Sequence, residues 1–220
     1  MKKNLLLNLA VVVIACLPMV FLAIIWNSIP EIVALHYNAR MQADRMGSKT
    51  KLWILAGILT VVSIGVFFLL INLHLFDPKR KKFPRSAAFT RLATGLAVFM
   101  SALNFIIILS AREGSLLFEK LLFPLLGLLF AFIGNYFNNI KPNYFAGIRL
   151  PWTLSDDDNW RRTHHLAGKI WFTGGIVLFI IGIFLPVKFV FTAFIVLITI
   201  MTIIPVVYSY RWFKSKSELS

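Results

Sequence analysis

Residues 138–169 read NNIKPNYFAGIRLPWTLSDDDNWRRTHHLAGK, a polar stretch between long apolar runs. The flanking runs carry too little charge and extend too far for the core of a soluble domain. A run of about 20 apolar residues is long enough to cross the hydrocarbon core of a bilayer. The stretch is therefore predicted to be a loop at one end of a membrane-embedded helix bundle. We expect the residues that carry the protein's specific function to lie in this loop.

The composition of the whole chain agrees with a membrane protein. Its 220 residues are 59% hydrophobic, whereas about 45–50% is usual in soluble domains. The apolar runs do not alternate in polarity, which excludes a transmembrane β-barrel. We predict an all-α polytopic membrane protein: a bundle of six transmembrane helices with an interfacial helix before the fifth.

The apolar runs divide the chain into two regions. Residues 1–86 form an N-terminal two-span region with a polar loop, Asn27–Lys51. Residues 87–220 form a four-span region that contains the polar loop 138–169. The predicted spans are Leu5–Trp26, Leu52–Phe76, Ala87–Ser110, Leu116–Phe137, Leu166–Leu185 and Phe189–Tyr210.

The positive charges predict the orientation. Most of the 23 Lys and Arg residues fall on the side that carries both termini, the basic connector Asp77–Arg85 and the loop 138–169. Loops rich in Lys and Arg stay in the cytoplasm, so both termini are predicted to be cytoplasmic and the Asn27–Lys51 loop external. This pattern explains the net charge of +14 by membrane anchoring. Because no recognition motif accompanies it, we expect no direct contact with nucleic acid.

The end of the central stretch predicts a helix. Ser155 can cap its first turn, and Asp158, three residues on, can return the hydrogen bond. This cap explains the acidic cluster without a metal ion. Trp160, His164 and Ala167 recur at helical spacing and share one face, which we expect to lie against the membrane surface.

The start of the central stretch, residues 141–152, is dense in turn formers and aromatic residues. Pro142 and Pro151 restrict the backbone, and Gly147 permits a positive φ. Two interpretations stay open. The stretch is a docking surface for a cytoplasmic partner, with Arg149 and Trp152 as the residue types that anchor interfaces, or it is a rigid structural cap on the bundle.

The spacing of several motifs resembles the SdpI family over about the C-terminal half of the chain. These motifs are Gly134-Asn135-Tyr136, Lys141-Pro142-Asn143, Gly147-Ile148-Arg149, Pro151-Trp152-Thr153-Leu154, Trp160, Thr163-His164 and Gly168-Lys169. The first polar loop is similar to an uncharacterised domain that often precedes this family's region. Its matching residues are Pro30, His36-Tyr37-Asn38, Asp44 and Gly47-Ser48-Lys49.

The resemblance implies a membrane immunity protein of a bacterial cell, which gives resistance to a secreted toxin peptide. It also implies a signal transducer that holds a cytoplasmic transcriptional repressor at the membrane. The residues expected to contact the cytoplasmic partner are Lys141, Asn143, Arg149, Trp152, Thr153, Trp160 and His164. The residues expected to contact the external ligand are His36, Asn38, Asp44 and Lys49. Besides these partners and the lipid bilayer, the resemblance implies no catalysis, cofactor or metal ion.

Two other function classes stay open. A membrane enzyme would use His36 with Asp44, or His164 and His165 with Asp156–Asp158, to bind zinc or transfer protons. The sequence contains no HExxH motif, and adjacent histidines cannot share a helical face.

A small transporter or channel would need polar residues within its spans. The main candidates are Asn72, His74 and Asn104. Asn72 and His74 lie near a span end, and Asn104 is expected to make an interhelical hydrogen bond.

Overall fold

The computed structural model of the chain describes residues 2–38, 42–76 and 86–218. Its elements in order are α1 (Lys2–Ile25), a 3-10 turn (Trp26–Ser28), β1 (Ile32–Tyr37), β2 (Ala43–Ser48), α2 (Lys51–Ile71), a 3-10 turn (Leu73–Leu75), α3 (Ala87–Glu113), α4 (Ser115–Phe137), α5 (Pro151–Ser155), α6 (Asp157–Phe184) and α7 (Val187–Ser217). The predicted connector Asp77–Arg85 lies outside the described residues.

Six helices of the described residues, α1 to α4, α6 and α7, are long and apolar enough to cross a membrane. The prediction of an all-α, multi-pass membrane protein is thus confirmed. Between α3 and α4 the chain needs only Gly114 to reverse direction. Its φ of 100° is one that a side chain would disfavour.

A polar loop was predicted between the first two spans, and the structure adds a β-hairpin within it. Strands β1 and β2 pair antiparallel, from Ile32 opposite Ser48 to Tyr37 opposite Ala43. Val33 is buried with Ile29 against the ends of α1 and α2. The ring of Tyr37 stacks on Phe118 of α4 at 4.7 Å. The hairpin therefore covers one end of the bundle.

Side-chain hydroxyl and amide groups join α1, α2 and α3. Thr60 donates to the carbonyl of Ala15 at 3.2 Å, and Ser101 donates to that of Ile14 at 2.8 Å. The amide of Asn104 donates to the carbonyl of Ala56 at 3.2 Å, so the predicted interhelical hydrogen bond is confirmed. Such bonds hold helices together where lipid offers no partner.

Helices α4 and α6 pack closely because glycine lies where they cross. A Cβ atom at Gly127 would lie 2.5 Å from the backbone nitrogen of Phe179, and one at Gly134 would lie 2.9 Å from the carbonyl oxygen of Gly168. Small residues let transmembrane helices approach to backbone contact. This crossing fixes how the polar ends of α4 and α6 meet.

The helix before the fifth span differs from the prediction in its cap. Asp156, not Ser155, caps α6, because its carboxylate accepts from the backbone nitrogens of Asp158 and Asn159 at 2.9 and 3.2 Å. Ser155 instead ends the short helix α5, which Pro151 begins. Helix α6 then continues without a break from this cap through the span.

The predicted common face of Trp160, His164 and Ala167 exists, but it does not lie against the membrane surface. These residues are 2%, 1% and 0% exposed, respectively. Trp160 and Ala167 pack with Phe137, the last residue of α4, and with Ile140 just beyond it. The face is therefore part of the protein core, which corrects the membrane-surface expectation.

Candidate functional site

Residues 138–156, which we call the elbow, leave the end of α4 and return to the start of α6. A tight turn around Asn143 shapes its first half. The Asn143 side-chain amide donates to the carbonyls of Lys141 and Ala146, at 2.9 and 3.1 Å. Its oxygen accepts from the backbone nitrogens of Phe145 and Ala146, both at 2.8 Å. A buried side chain with four such bonds makes the turn rigid.

Two aromatic side chains of α6 make hydrogen bonds to the backbone of the elbow. The indole nitrogen of Trp160 donates to the carbonyl of Ile140 at 2.7 Å. His164 Nε2 accepts from the backbone nitrogen of Ile148 at 3.0 Å, and His164 Nδ1 lies 2.8 Å from the carbonyl of Trp160. Because Nε2 accepts a hydrogen bond, the proton of a neutral imidazole is on Nδ1. The two rings stack at 4.0 Å.

The second half of the elbow is fixed by Thr153 at the start of α5. Its hydroxyl lies 2.7 Å from the carbonyl of Ile148 and accepts from the backbone nitrogen of Leu150 at 2.9 Å. Thr153 is fully buried. Its hydroxyl satisfies backbone groups next to the first turn of α5 that have no hydrogen-bond partner within the helix.

Side chains and a backbone carbonyl of helix α7 bind the elbow and the start of α6. The indole nitrogen of Trp152 donates to Ser209 at 3.0 Å, and Asn159 donates to the carbonyl of the same serine at 3.1 Å. Lys216 pairs with Asp156 at 2.7 Å. This hydrogen bond holds the pKa of the Asp156 carboxyl below its usual value. The last turns of α7 therefore belong to the site.

The seven residues expected at the cytoplasmic surface divide into two groups. Four are buried and hold the elbow together: Asn143, Thr153, Trp160 and His164. Three are accessible: Lys141 and Arg149 are exposed, and Trp152 is half-buried. The guanidinium of Arg149 donates to the carbonyl of Tyr144 at 2.7 Å, which orients it on the surface. A partner can touch only the second group directly.

Asn159, Ser209 and Lys216 were not predicted as site residues. Ser209 of α7 binds Asn159 at the start of α6, and Lys216 of α7 binds Asp156 of the elbow, across 50 to 60 residues of sequence. Local periodicity and capping patterns do not indicate contacts between residues so far apart in the sequence. Lys216 does belong to the basic tail used to predict the orientation.

At the other end of the bundle, the hairpin carries an exposed pair of hydrogen-bonded polar side chains. His36 Nδ1 donates to Asp44 at 2.6 Å, and their side chains are 60% and 43% exposed. Asn38 closes the described edge of the hairpin, where its side-chain oxygen accepts from the backbone nitrogen of Gln42 at 3.1 Å. These three expected ligand-binding residues lie together at the tip.

Lys49, the fourth residue expected to bind the external ligand, lies elsewhere. It is 8% exposed. Its ammonium group donates to the carbonyls of Trp26 and Ile29 at 3.4 and 3.3 Å and pairs with Glu31 at 2.9 Å. Lys49 therefore fixes the base of the hairpin to the end of α1.

A cavity of about 100 Å³ lies beneath the hairpin, and Tyr37, Ser110 and Phe118 are among the residues that line it. Burial raises the pKa of the Tyr37 phenol, and the nearby Glu119 carboxylate raises it further. The phenol therefore stays neutral, and the stacked pair of Tyr37 and Phe118 closes the cavity on one side.

A zinc enzyme would need His36 with Asp44, or His164 and His165 with Asp156–Asp158, to gather as metal ligands. In the parts of the chain that the structure describes, no three His, Cys, Asp or Glu residues are grouped to hold a metal ion. Both imidazole nitrogens of His164 are engaged with backbone groups, and His165 Nδ1 lies 3.2 Å from the side-chain oxygen of Asn138. The two histidines therefore point to different partners.

Comparison with known proteins gives matches at both ends of the chain. Residues 139–209 match the SdpI/YfhL protein family. Residues 13–60 match a domain of unknown function, DUF1648. The immunity protein SdpI of Bacillus subtilis (strain 168) is 26% identical over 218 residues, which cover 97% of each chain. No solved structure matches.

The SdpI/YfhL match contains all but the first residue of the elbow, together with α5, α6 and most of α7. The DUF1648 match contains the hairpin and parts of α1 and α2. The relative is named for immunity and not for an enzymatic reaction. The resemblance to the SdpI family predicted from the motifs is thus confirmed, in the C-terminal region by the family match and along nearly the whole chain by the Bacillus relative.

Proposed function

We propose that this protein is a bacterial membrane immunity protein that protects its cell from a secreted toxin peptide. The observation that carries the proposal is the similarity to an immunity protein over 97% of both chains. An end-to-end match indicates that the same parts are present in the same order. In this proposal both termini and the elbow face the cytoplasm, and the hairpin faces outward.

The hairpin is the proposed external recognition element. Its tip offers His36, Asn38 and Asp44 at an exposed edge, while Lys49 anchors its base. A strand edge presents backbone donors and acceptors to which an extended peptide can add. In this proposal the two regions have different roles. Residues 1–86 bind the external ligand, and residues 87–220 contain the surface that contacts the cytoplasmic partner.

Expression in a toxin-sensitive bacterium should allow growth in culture supernatant from the protein's native host. Asp44→Ala is expected to reduce this protection, because it removes an exposed carboxylate of the recognition surface without touching the core. Glu113→Ala is the matched control, since Glu113 is also an exposed carboxylate with a basic partner, Arg112, at the same end of the bundle. Survival counts on toxin gradients measure both.

Full sensitivity of cells that carry the wild-type protein in their membrane would contradict the immunity proposal. Equal loss of protection in Asp44→Ala and Glu113→Ala would contradict the hairpin assignment alone.

We further propose that the elbow passes a signal by holding a cytoplasmic repressor at the membrane when toxin is bound. The support is that hydrogen bonds orient Arg149 and Trp152 on the elbow, and that Lys141 of the same elbow is exposed. Arginine and tryptophan are common anchors of protein interfaces. Coupling requires that the toxin and the repressor favour the same state of the bundle.

Arg149→Glu should separate signalling from protection. Toxin is expected to induce a reporter fused to the gene's own promoter in cells with the wild-type protein, and not in cells with Arg149→Glu. Survival should be similar in both, because Arg149 lies at the opposite end from the hairpin. Lys188→Glu, an exposed charge reversal outside the elbow, serves as the control. Unchanged induction by Arg149→Glu would contradict the role of the elbow.

A further inference from the structure

A second feature of the elbow end is a cavity of about 580 Å³ between the elbow and the first turns of α6. Its walls include the apolar groups of Ile140, Pro142 and Trp160. Its polar groups include Lys141, Arg161 and Arg162. Arg149 and Trp152 do not line it, so Lys141 is the one residue that this cavity shares with the three accessible residues proposed to contact the protein partner.

The depth of the cavity in the membrane follows from α4 and α6. The apolar span of α4, Leu117–Phe137, has 21 residues, and at about 1.5 Å per residue it matches the roughly 30 Å hydrocarbon core. Asn138, just beyond this span, lies 3.2 Å from His165. These two residues therefore mark the boundary between hydrocarbon and headgroups.

The cationic groups lie just beyond this boundary. Arg161 precedes His165 by one helical turn, so its backbone is roughly 6 Å farther from the hydrocarbon core. The headgroup region on each side of a bilayer is about as thick as that. Both Arg161 and Lys141 are exposed, and their side chains are long enough to cover the layer in which lipid phosphates lie. The depth of these cationic groups is the same in either orientation of the protein.

The charge balance of the cavity leaves a positive excess. Arg161 and Arg162 share one carboxylate, that of Asp158, at 2.6 and 2.9 Å. Lys141 adds a further positive charge, and Asp157, which also lines the cavity, offsets one. These three basic and two acidic side chains leave one net positive charge for one anionic group. A lipid phosphodiester carries a single negative charge.

We propose that this cavity binds the headgroup of an anionic phospholipid such as phosphatidylglycerol. Lys141 and Arg161 contact its phosphate, and Ile140, Pro142 and Trp160 form the apolar wall beside its glycerol backbone. Basic pockets at the ends of transmembrane helices recognise anionic lipids by this combination of charge and depth. The site depends on neither a toxin nor a repressor, and it goes beyond the immunity function.

The test uses the full chain purified in a neutral detergent, with thermal unfolding followed as short-chain lipid is added. Dioctanoyl phosphatidylglycerol is expected to raise the unfolding temperature of the wild type, and dioctanoyl phosphatidylcholine to raise it less. In the variant Lys141→Gln/Arg161→Gln, the concentration of phosphatidylglycerol for half of the shift should rise roughly tenfold or more. Lys188→Gln, which removes an exposed lysine away from the cavity, should behave as the wild type.

Each alternative result would overturn the proposal. An equal response to phosphatidylcholine would exclude recognition of the anionic headgroup. An equal response to inorganic phosphate or to poly-glutamate would indicate a free phosphate or an acidic protein segment instead. Unchanged lipid dependence in the double variant would place the lipid elsewhere. If the double variant does not fold, Lys141→Gln alone decides the matter, because Lys141 is exposed and its substitution leaves Asp158 paired.

Discussion

Gly134→Ala is expected to lower the thermal unfolding temperature of the detergent-solubilised protein by roughly 2–12 °C. A Cβ atom at this position would lie 2.9 Å from the carbonyl oxygen of Gly168 and still closer to the backbone nitrogen of Phe172. Both obstacles are helix backbone, so neither can rotate away. Forcing extra atoms into such a contact costs about 1–3 kcal/mol, and each kcal/mol corresponds to roughly 2–4 °C in a chain of this size.

Gly65→Ala is the matched control for this substitution. Gly65 lies within α2, and a Cβ atom there would have no atom within 4 Å apart from the neighbouring backbone of its own helix. Both changes replace a glycine inside a transmembrane helix with the same residue, so they differ only in what the added methyl group meets. Gly65→Ala is expected to leave the unfolding temperature unchanged or to raise it, because alanine favours the helix.

The Gly134 substitution also tests how the elbow is supported. Its two ends are carried by α4 and α6, and Trp160 and His164 hold its backbone from the α6 side. If the two helices separate, these contacts stretch, and proteases should cut the elbow of Gly134→Ala faster than that of the wild type. Equal unfolding temperatures for Gly134→Ala and Gly65→Ala would show that α4 and α6 are not in backbone contact.

The spans of the bundle could be predicted because hydrophobic length alone determines which segments cross a bilayer. The predicted span Leu116–Phe137 and the observed helix Ser115–Phe137 differ by one residue. The hairpin could not be predicted in this way. Strand β2 reads ADRMGS and is mostly exposed along its length, so it lacks the alternation that would have indicated a strand.

The elbow shows a second limit of local reasoning. The sequence predicted one helix start near Ser155, but the structure has two helices in this region. Pro151 begins the first of them, and Ser155 is its last residue. Asp156 is then left to cap the second. Periodicity likewise identified the face of Trp160 and His164 without showing what covers it. That information is in the turn around Asn143, whose geometry depends on many hydrogen bonds at once.

The family motifs were informative for a physical reason. Several motif residues, Asn143, Thr153, Trp160 and His164, are buried and hydrogen-bonded to backbone groups. They specify the shape of the elbow, whereas a partner meets only the residues that this shape leaves accessible. The structure therefore reduces the candidate contact residues on this side to Lys141, Arg149 and Trp152.

The orientation of the elbow and the hairpin underlies the proposals of toxin recognition outside the cell and repressor binding inside it. If the hairpin recognises a toxin outside and the elbow binds a repressor inside, then Arg45 in the hairpin and Arg149 in the elbow must lie on opposite sides of the membrane. The positive-inside rule predicts this arrangement. Since Cys16 is the single cysteine of the chain, Cys16→Ser provides a background in which one introduced thiol can be followed.

Labelling of Arg45→Cys and Arg149→Cys with a membrane-impermeant maleimide in intact cells measures the orientation. Both positions are exposed, and both changes replace the same residue type. We expect Arg45→Cys in the hairpin strand to be labelled in intact cells and Arg149→Cys in the elbow to be labelled only after the membrane is permeabilised. Labelling of Arg149→Cys in intact cells would place the elbow outside and would contradict its proposed contact with a cytoplasmic repressor.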